Sequence, residues 1–439
     1  MRAFLALVAL TLLPAGALAQ TPAEAAPLRV TLQEALDRAE AESHRLAELR
    51  AREGAAGAAV ESSRAAERPL LAVLAGYQRT NHVDEFGFFQ QDGSFRLIYP
   101  DIPDNWRARL DMQWPIYTAG RADALERAAR AERSAAANEL ENARADLRLE
   151  TTRAFWALVT ATESVRVMQA AVERVESQLR DVRARFEAGF LPPNDVLTVE
   201  SRLSQQRTAL LQAENIRDAA RAELARLIGA PLDAALEADA VLAPDPASSV
   251  EADVQAALEQ RADRRAVEDR VRASEARIDA ARAGKRPMIS LAGGFDYARP
   301  NPRIFPRQDR FEDSWDVGVN VSWTLWDAGR TASAVAEARL ATEAARARLA
   351  DFDSRIALEI RQRQLDLTSA RAQVETANAA VAAATEARRV VEARVRAGVA
   401  TTTELLDAQV DQLQAELDRT RALAAVKLAE AQLARALGR

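Results

Sequence analysis

The chain has 439 residues, two histidines, no cysteine and a formal net charge of −6. Its length alone would suit two or three domains, yet alanine, leucine, glutamate and arginine dominate, the composition of long helices rather than of a compact mixed core. These numbers exclude disulfides, thiol chemistry and a lipidated cysteine anchor, offer no basic footprint for nucleic acid, and leave His44 and His82 without the partners that a zinc site or catalytic dyad needs.

In chain order, Met1-Arg2 precedes an apolar run from Ala3 to Leu13, a break at Pro14 and Gly16, and the small-x-small triplet Ala17-Leu18-Ala19 before Gln20. Residues 1–19 therefore read as a cleaved secretory signal. The apolar run is shorter than the roughly 20 residues of a membrane-spanning helix. The mature chain is expected to begin near Gln20 and to be exported.

The remainder is one unit written twice. The segment from Trp114 to Arg121 (WPIYTAGR) recurs 209 residues later from Trp323 to Arg330 (WTLWDAGR). Arg185–Gly189 recurs as Arg394–Gly398, and Leu224–Gly229 as Leu433–Gly438, at the same offset. Arg68-Pro69 matches Arg286-Pro287 at 218, which places about nine extra residues in a loop of the first copy. The first repeat is assigned to 20–229, a linker rich in Ala, Asp and Pro to 230–249, and the second repeat to 250–439. Each repeat opens with helix, over about Thr31–Glu67 and Val250–Lys285, ended by Arg-Pro. Two strands follow, at about 70–79 and 106–115, then at 288–297 and 314–326. Between Gly120 and Gly189, and again between Gly329 and Gly398, lie 68 residues without Gly or Pro. As one helix each would span roughly 100 Å, and a further helix of about 35 residues closes each repeat.

Helices this long need lateral partners. Leu406, Val410, Leu413 and Leu417 step by four and three, a coiled-coil seam, and Val196, Val199 and Leu203 match them in the first copy. On this pattern alone an extended soluble rod fits as well as a tube. The strands discriminate. Trp315, Val317, Val319, Val321 and Trp323 alternate with Asp316, Gly318, Asn320 and Ser322; Trp106, Ala108, Leu110, Met112 and Trp114 alternate with Arg107, Arg109, Asp111 and Gln113. In each run a Trp pair eight positions apart bounds about 26 Å of apolar face, close to the ~25 Å apolar band and aromatic girdles of a membrane barrel. Four strands cannot close a barrel, so copies must assemble; barrels begin at about eight strands, and the arithmetic does not choose between two copies and three. The reading is of a mainly α chain with a small membrane β-barrel portion.

The combination of signal, duplicated units, the Tyr117-to-Arg121 and Trp326-to-Arg330 turns and the Arg-x-x-x-Gly tips resembles TolC-type outer-membrane efflux proteins over essentially the whole mature chain. The resemblance implies a homotrimer with a shared 12-stranded barrel in outer-membrane lipid and an α-helical tunnel across the periplasm. It also implies docking onto a periplasmic adaptor and an inner-membrane pump of RND or ABC type, with the 230–249 linker near the tunnel's equator. The expected function is a passive exit duct for small toxic compounds. A type I protein-secretion duct and a periplasmic coiled-coil adaptor or structural rod are the alternatives. No cofactor, metal or catalytic constellation is expected; the chain has no phosphate-binding Gly-rich loop.

The resemblance also suggests a gate. Glu404 and Asp407 are similar to the family's acidic tip pair; at i, i+3 they share a helix face and would form a cation-attracting ring. Asp195, at the equivalent of Glu404, is similar to the first-repeat tip aspartate, while Thr198 replaces the second acid. The tip turns are Gly189 with Pro192-Pro193, and Gly398. Val395 and Ala400 stand where some relatives carry a Tyr–Arg latch, so closure is expected to rest more on packing than on ionic links.

Overall fold

The computed structural model describes residues 28–240, 242 and 254–439. The signal segment 1–19, and residues 241 and 243–249 of the linker, lie outside the described residues.

Strand β1 (Leu28–Val30) leads into α1 (Leu32–Glu42). The Thr31 hydroxyl accepts from the Glu34 amide while the Glu34 carboxylate accepts from the Thr31 amide, a reciprocal capping box. The sequence predicts one helix here, but the chain breaks at Ser43 and restarts as α2 (His44–Ala65). The cause is local: the Ser43 hydroxyl accepts from the Leu46 amide at 3.2 Å, as a helix N-cap does. The second copy breaks at the equivalent residue, Arg261, which separates its first two helices.

Strand β2 (Leu70–Arg79) follows, and the predicted loop after it contains a hairpin, β3 (Phe86–Phe89) with β4 (Phe95–Tyr99). Strand β5 (Asp104–Tyr117) runs back to the turn where Ala119 and Gly120 adopt left-handed backbone, φ 58° and 81°. Helix α3 (Arg121–Glu187) is 67 residues long, about 100 Å. Helix α4 (Pro193–Leu227) returns antiparallel over 35 residues to β6 (Leu236–Ala238), which pairs in parallel with β1.

The second copy repeats the order with α5 (Val254–Gln260), α6 (Ala262–Arg282), β7 (Met288–Arg299), β8 (Glu312–Ser322), α7 (Arg330–Arg396) and α8 (Thr402–Ala436). The predicted strand 314–326 thus ends early, at Ser322. Past it the Trp323 indole donates to the Lys285 carbonyl at 3.1 Å, and the Asp327 carboxylate accepts from the Gly329 and Thr331 amides at 3.0 and 2.9 Å. These bonds draw the chain into the turn that starts α7. They hold the Asp327 carboxyl below the usual carboxylate range, through the Thr331 hydrogen bonds first.

The packing follows from the helix faces. Ion pairs lay the first half of α3 along α6 (Arg277–Glu132, 2.8 Å; Arg127–Asp279, 3.1 Å) and its second half along α4 (Arg207–Glu176, 2.7 Å). Phe155, Leu158, Leu46 and Leu224 are the buried centre where α2, α3 and α4 meet β1 and β6; each contributes about 2 kcal/mol of burial. Both predicted seams pack on α3: Val199, Leu203 and Leu406 against Val172, Val175 and Leu179, and Leu413 and Leu417 against Val167 and Ala171. By contrast, Leu340, Leu358 and Leu365 on α7 stand 53–65% exposed. Among the described residues no helix is long and apolar enough to cross a membrane.

Candidate functional site: a sheet wall and a helical tip

The four long strands make one antiparallel sheet in the order β2-β5-β7-β8, so the two copies meet at β5–β7 and, among the described residues, the outer edges of β2 and β8 are unpaired. Register sorts the side chains. Val73, Leu110, Phe295 and Trp315 lie in one row, and Leu71, Met112, Gly293 and Val317 in another, on the same face. That face is apolar and open: Trp315 is 71% exposed and Val317, Val319 and Val321 about as much. In water such a surface is unfavourable; against lipid it is the matching one.

The opposite face is polar and internally paired. Asp296, 2% exposed, accepts from Arg107 Nε and Nη2 at 2.5 and 3.0 Å and from Arg109. Arg109 also reaches Asp111 at 2.6 Å and Asp316 at 3.2 Å, and Arg303 from the loop between β7 and β8 joins Asp316 at 2.9 Å. The Arg109 guanidinium lies over Gly294, where a Cβ would meet its Nη2 at 2.2 Å. Any larger residue there would displace it. Sequence alternation places Arg107, Arg109, Asp111 and Asp316 on a polar face but does not find Asp296 or Arg303; an acid in a β7 that is otherwise uncharged up to Ala298 was the available signal.

The four tryptophans that bound the two alternating runs are not equivalent. Trp106, towards the loop end, packs on Tyr77 with ring centroids 4.5 Å apart, and Trp315 pairs opposite Phe295 in register. Trp114 and Trp323, at the helix end, instead donate indole N–H bonds to carbonyls just past the ends of α2 and α6, Glu67 at 3.0 Å and Lys285 at 3.1 Å.

At the other end of the long helices both tips turn identically. Gly189 and Gly398 take φ 78° and 75°, and the Phe190 amide reaches the Arg185 carbonyl at 2.9 Å as Val399 reaches Arg394. This six-to-one bond closes a helix through a left-handed residue that glycine adopts without strain. The next helices then start differently. Pro192 and Pro193 occupy the cap and first positions of α4, with no side-chain cap. Asp195 sits half-buried in the first turn, its amide donating to the Pro192 carbonyl at 3.2 Å. In α8, Thr401 and Glu404 form a capping box, and Glu404 lies 3.9 Å from Arg394. Asp407 pairs with Arg202 of α4 at 3.4 Å. This ionic link ties α4 to α8 beside the Val199, Leu203 and Leu406 cluster.

Residues 35–230 and 254–439 each match the outer membrane efflux protein family. The chain belongs to that family. Protein CyaE of Bordetella pertussis is 27% identical over 414 residues, covering 90% of this chain and 83% of CyaE. Outer membrane protein TolC of Vibrio cholerae is 23% identical over 380 residues, covering 86% and 83%. The crystal structure of the Campylobacter jejuni CmeC outer membrane channel shares the fold, with a TM-score of 0.77 at 16% identity over 93% of this chain and 85% of CmeC. As an outer membrane efflux protein, the chain is an efflux duct of the outer membrane with its helical part in the periplasm. The rod and protein-secretion alternatives are not the ones these relationships favour.

Proposed function

We propose that three copies close their sheets into one 12-stranded barrel and their helices into a tunnel, forming a passive exit duct for small toxic compounds. The observation that carries this reading is the pair of unpaired edges on a sheet with one apolar, exposed face. In lipid each free backbone N–H and C=O on β2 and β8 is costly, and closure on further copies satisfies them. The exposed leucines of α7 supply a matching lateral surface. The duct carries no energy source in its sequence, so a periplasmic adaptor and an inner-membrane pump of the RND or ABC type drive it.

The tip carboxylates Glu404, Asp407 and Asp195 form the gate, an acidic ring contributed by each copy that attracts cations. In planar bilayers the purified protein is expected to conduct and to be blocked by divalent cations from the tip side. Replacing Glu404→Ala together with Asp407→Ala is expected to weaken that block several-fold. Unchanged block would place the ring elsewhere. Native mass spectrometry reading a monomer or dimer in detergent would sink the trimer.

A further inference from the structure

Near the tip, four side chains carry buried polar atoms with no hydrogen-bond partner among the described residues: Arg174 Nη2 and Gln178 Oε1 on α3, Arg388 Nε on α7 and Gln409 Oε1 on α8. All four residues line one cavity of about 250 Å³ between these three helices. Buried donors and acceptors are rarely left unpaired, because each has given up water for nothing in return. Gln178 is only 9% exposed. Four residues that carry such groups line one space, which makes it a built site rather than a set of scattered defects.

Charge decides the class of occupant. The wall carries Arg174, Arg185, Arg388 and Arg396 against Asp181 and Glu392. Glu392 is already committed, accepting from Arg388 Nη1 at 3.2 Å and from Arg396. Arg174 Nη2 stands 3.9 Å from the Glu416 carboxylate, beyond hydrogen-bond reach. The occupant must therefore bring acceptors and negative charge. Water brings acceptors without charge, while guanidinium forks match oxyanions in both respects. A half-turn about the last side-chain bond lets Gln178 and Gln409 present their NH₂ groups as donors too.

We infer that this cavity binds a small oxyanion of the carboxylate, phosphate or sulfate class, gripped by Arg174 and Arg388 and completed by the Gln178 and Gln409 amides. The site lies ten to fifteen residues from the Gly189 and Gly398 turns. It joins α3 of the first copy to both α7 and α8 of the second. Its occupancy holds the α7–α8 hairpin against α3 and so favours the closed tip; this second step rests on the proposed duct.

The test titrates sulfate into the purified full-length protein by calorimetry, in chloride at constant ionic strength and at low millimolar sulfate, where general salt effects on stability are small. Saturable binding of one sulfate per chain is expected. Arg174→Gln with Arg388→Gln is expected to weaken it at least tenfold, while Arg389→Gln, whose guanidinium pairs with Glu386 outside the cavity, leaves it unchanged. Absence of saturable binding, or equal binding by the double variant, overturns the site. If the double variant does not fold, Gln178→Leu keeps both arginines and replaces one lining amide with an apolar group; undiminished binding there overturns the site equally. In bilayers the same sulfate is expected to lower conductance of the unmodified protein and not of Gln178→Leu. An equal response from both overturns the clamp, whereas no conductance at all without sulfate counts against the duct instead.

Discussion

Glu404 holds the start of α8 and, on the proposed reading, also charges the pore. The two roles separate by substitution. Thr401→Ala removes the capping box and leaves the carboxylate; about 1 kcal/mol of helix-start stability is expected to go, seen as faster amide exchange over 402–406 with divalent block retained. Glu404→Gln keeps a residue that completes a capping box but removes the charge, so exchange stays near normal and block weakens. The opposite pattern would leave Glu404 a purely structural residue. The box has a signature in the sequence, Thr401-x-x-Glu404, which is a recognised helix start. The Arg107–Arg109–Asp296 cluster was legible only by half: alternation marks a face as polar but names no partner on a strand nearly 190 residues away.

Among the helices, lengths were readable and breaks were not. A Gly-to-Gly gap without Gly or Pro states how far a helix runs, and the 67-residue α3 and α7 fill those gaps. Arg261 interrupts the second copy for a reason that exists only in three dimensions. Its buried guanidinium donates to the Ala436 carbonyl at the end of α8 at 3.1 Å, to Glu359 at 2.6 Å and to Asp263 at 2.7 Å. Arg435, 3.9 Å from Asp263, joins this hub to Asp146 of α3 at 2.7 Å. Burial pushes the Asp263 carboxyl up, but its hydrogen bonds and attraction to Arg261 and the charge of Arg435 outweigh that and leave it lowered. A lowered carboxyl contributes stability that is complete above its unfolded value, near pH 3.9, and is lost as pH falls through the folded value. Melting followed by circular dichroism is therefore expected to show a steeper fall below about pH 4 for the unmodified protein than for Asp263→Asn. Asp263→Asn should also be less stable at neutral pH, by about 2 kcal/mol for a charged hydrogen bond lost. Parallel acid curves would remove Asp263 from the hub's energetics.

For the molecule as a whole, period-two alternation identified which residues share a sheet face, but not which strands are neighbours. Joining the copies through β5 and β7 is a tertiary choice, and so is the hairpin of β3 and β4 that occupies the longer loop. The facing itself can be tested within one strand. Val319 is on the apolar face, opposite Leu291, and Asn320 is on the other, opposite Ser290. Val319→Arg is expected to cost about 2–4 kcal/mol in a bilayer, as a cation on the lipid side of a barrel does, and to lower the yield of heat-resistant oligomer on gels. Asn320→Arg, one residue along, should assemble normally. Equal losses from both would place neither face against lipid.

The two tips, alike in their glycine turns, differ in how the returning helix is held. Consecutive prolines fix the entry to α4, so on the proposed duct that hairpin would serve as a doorpost. The entry to α8 hangs on a Thr–Glu pair, so on the same reading that hairpin would be the leaf. With one post and one leaf in every copy, the mouth of a ring of such chains would swing at alternate positions around a rim of constant circumference, widening the aperture without loosening the ring.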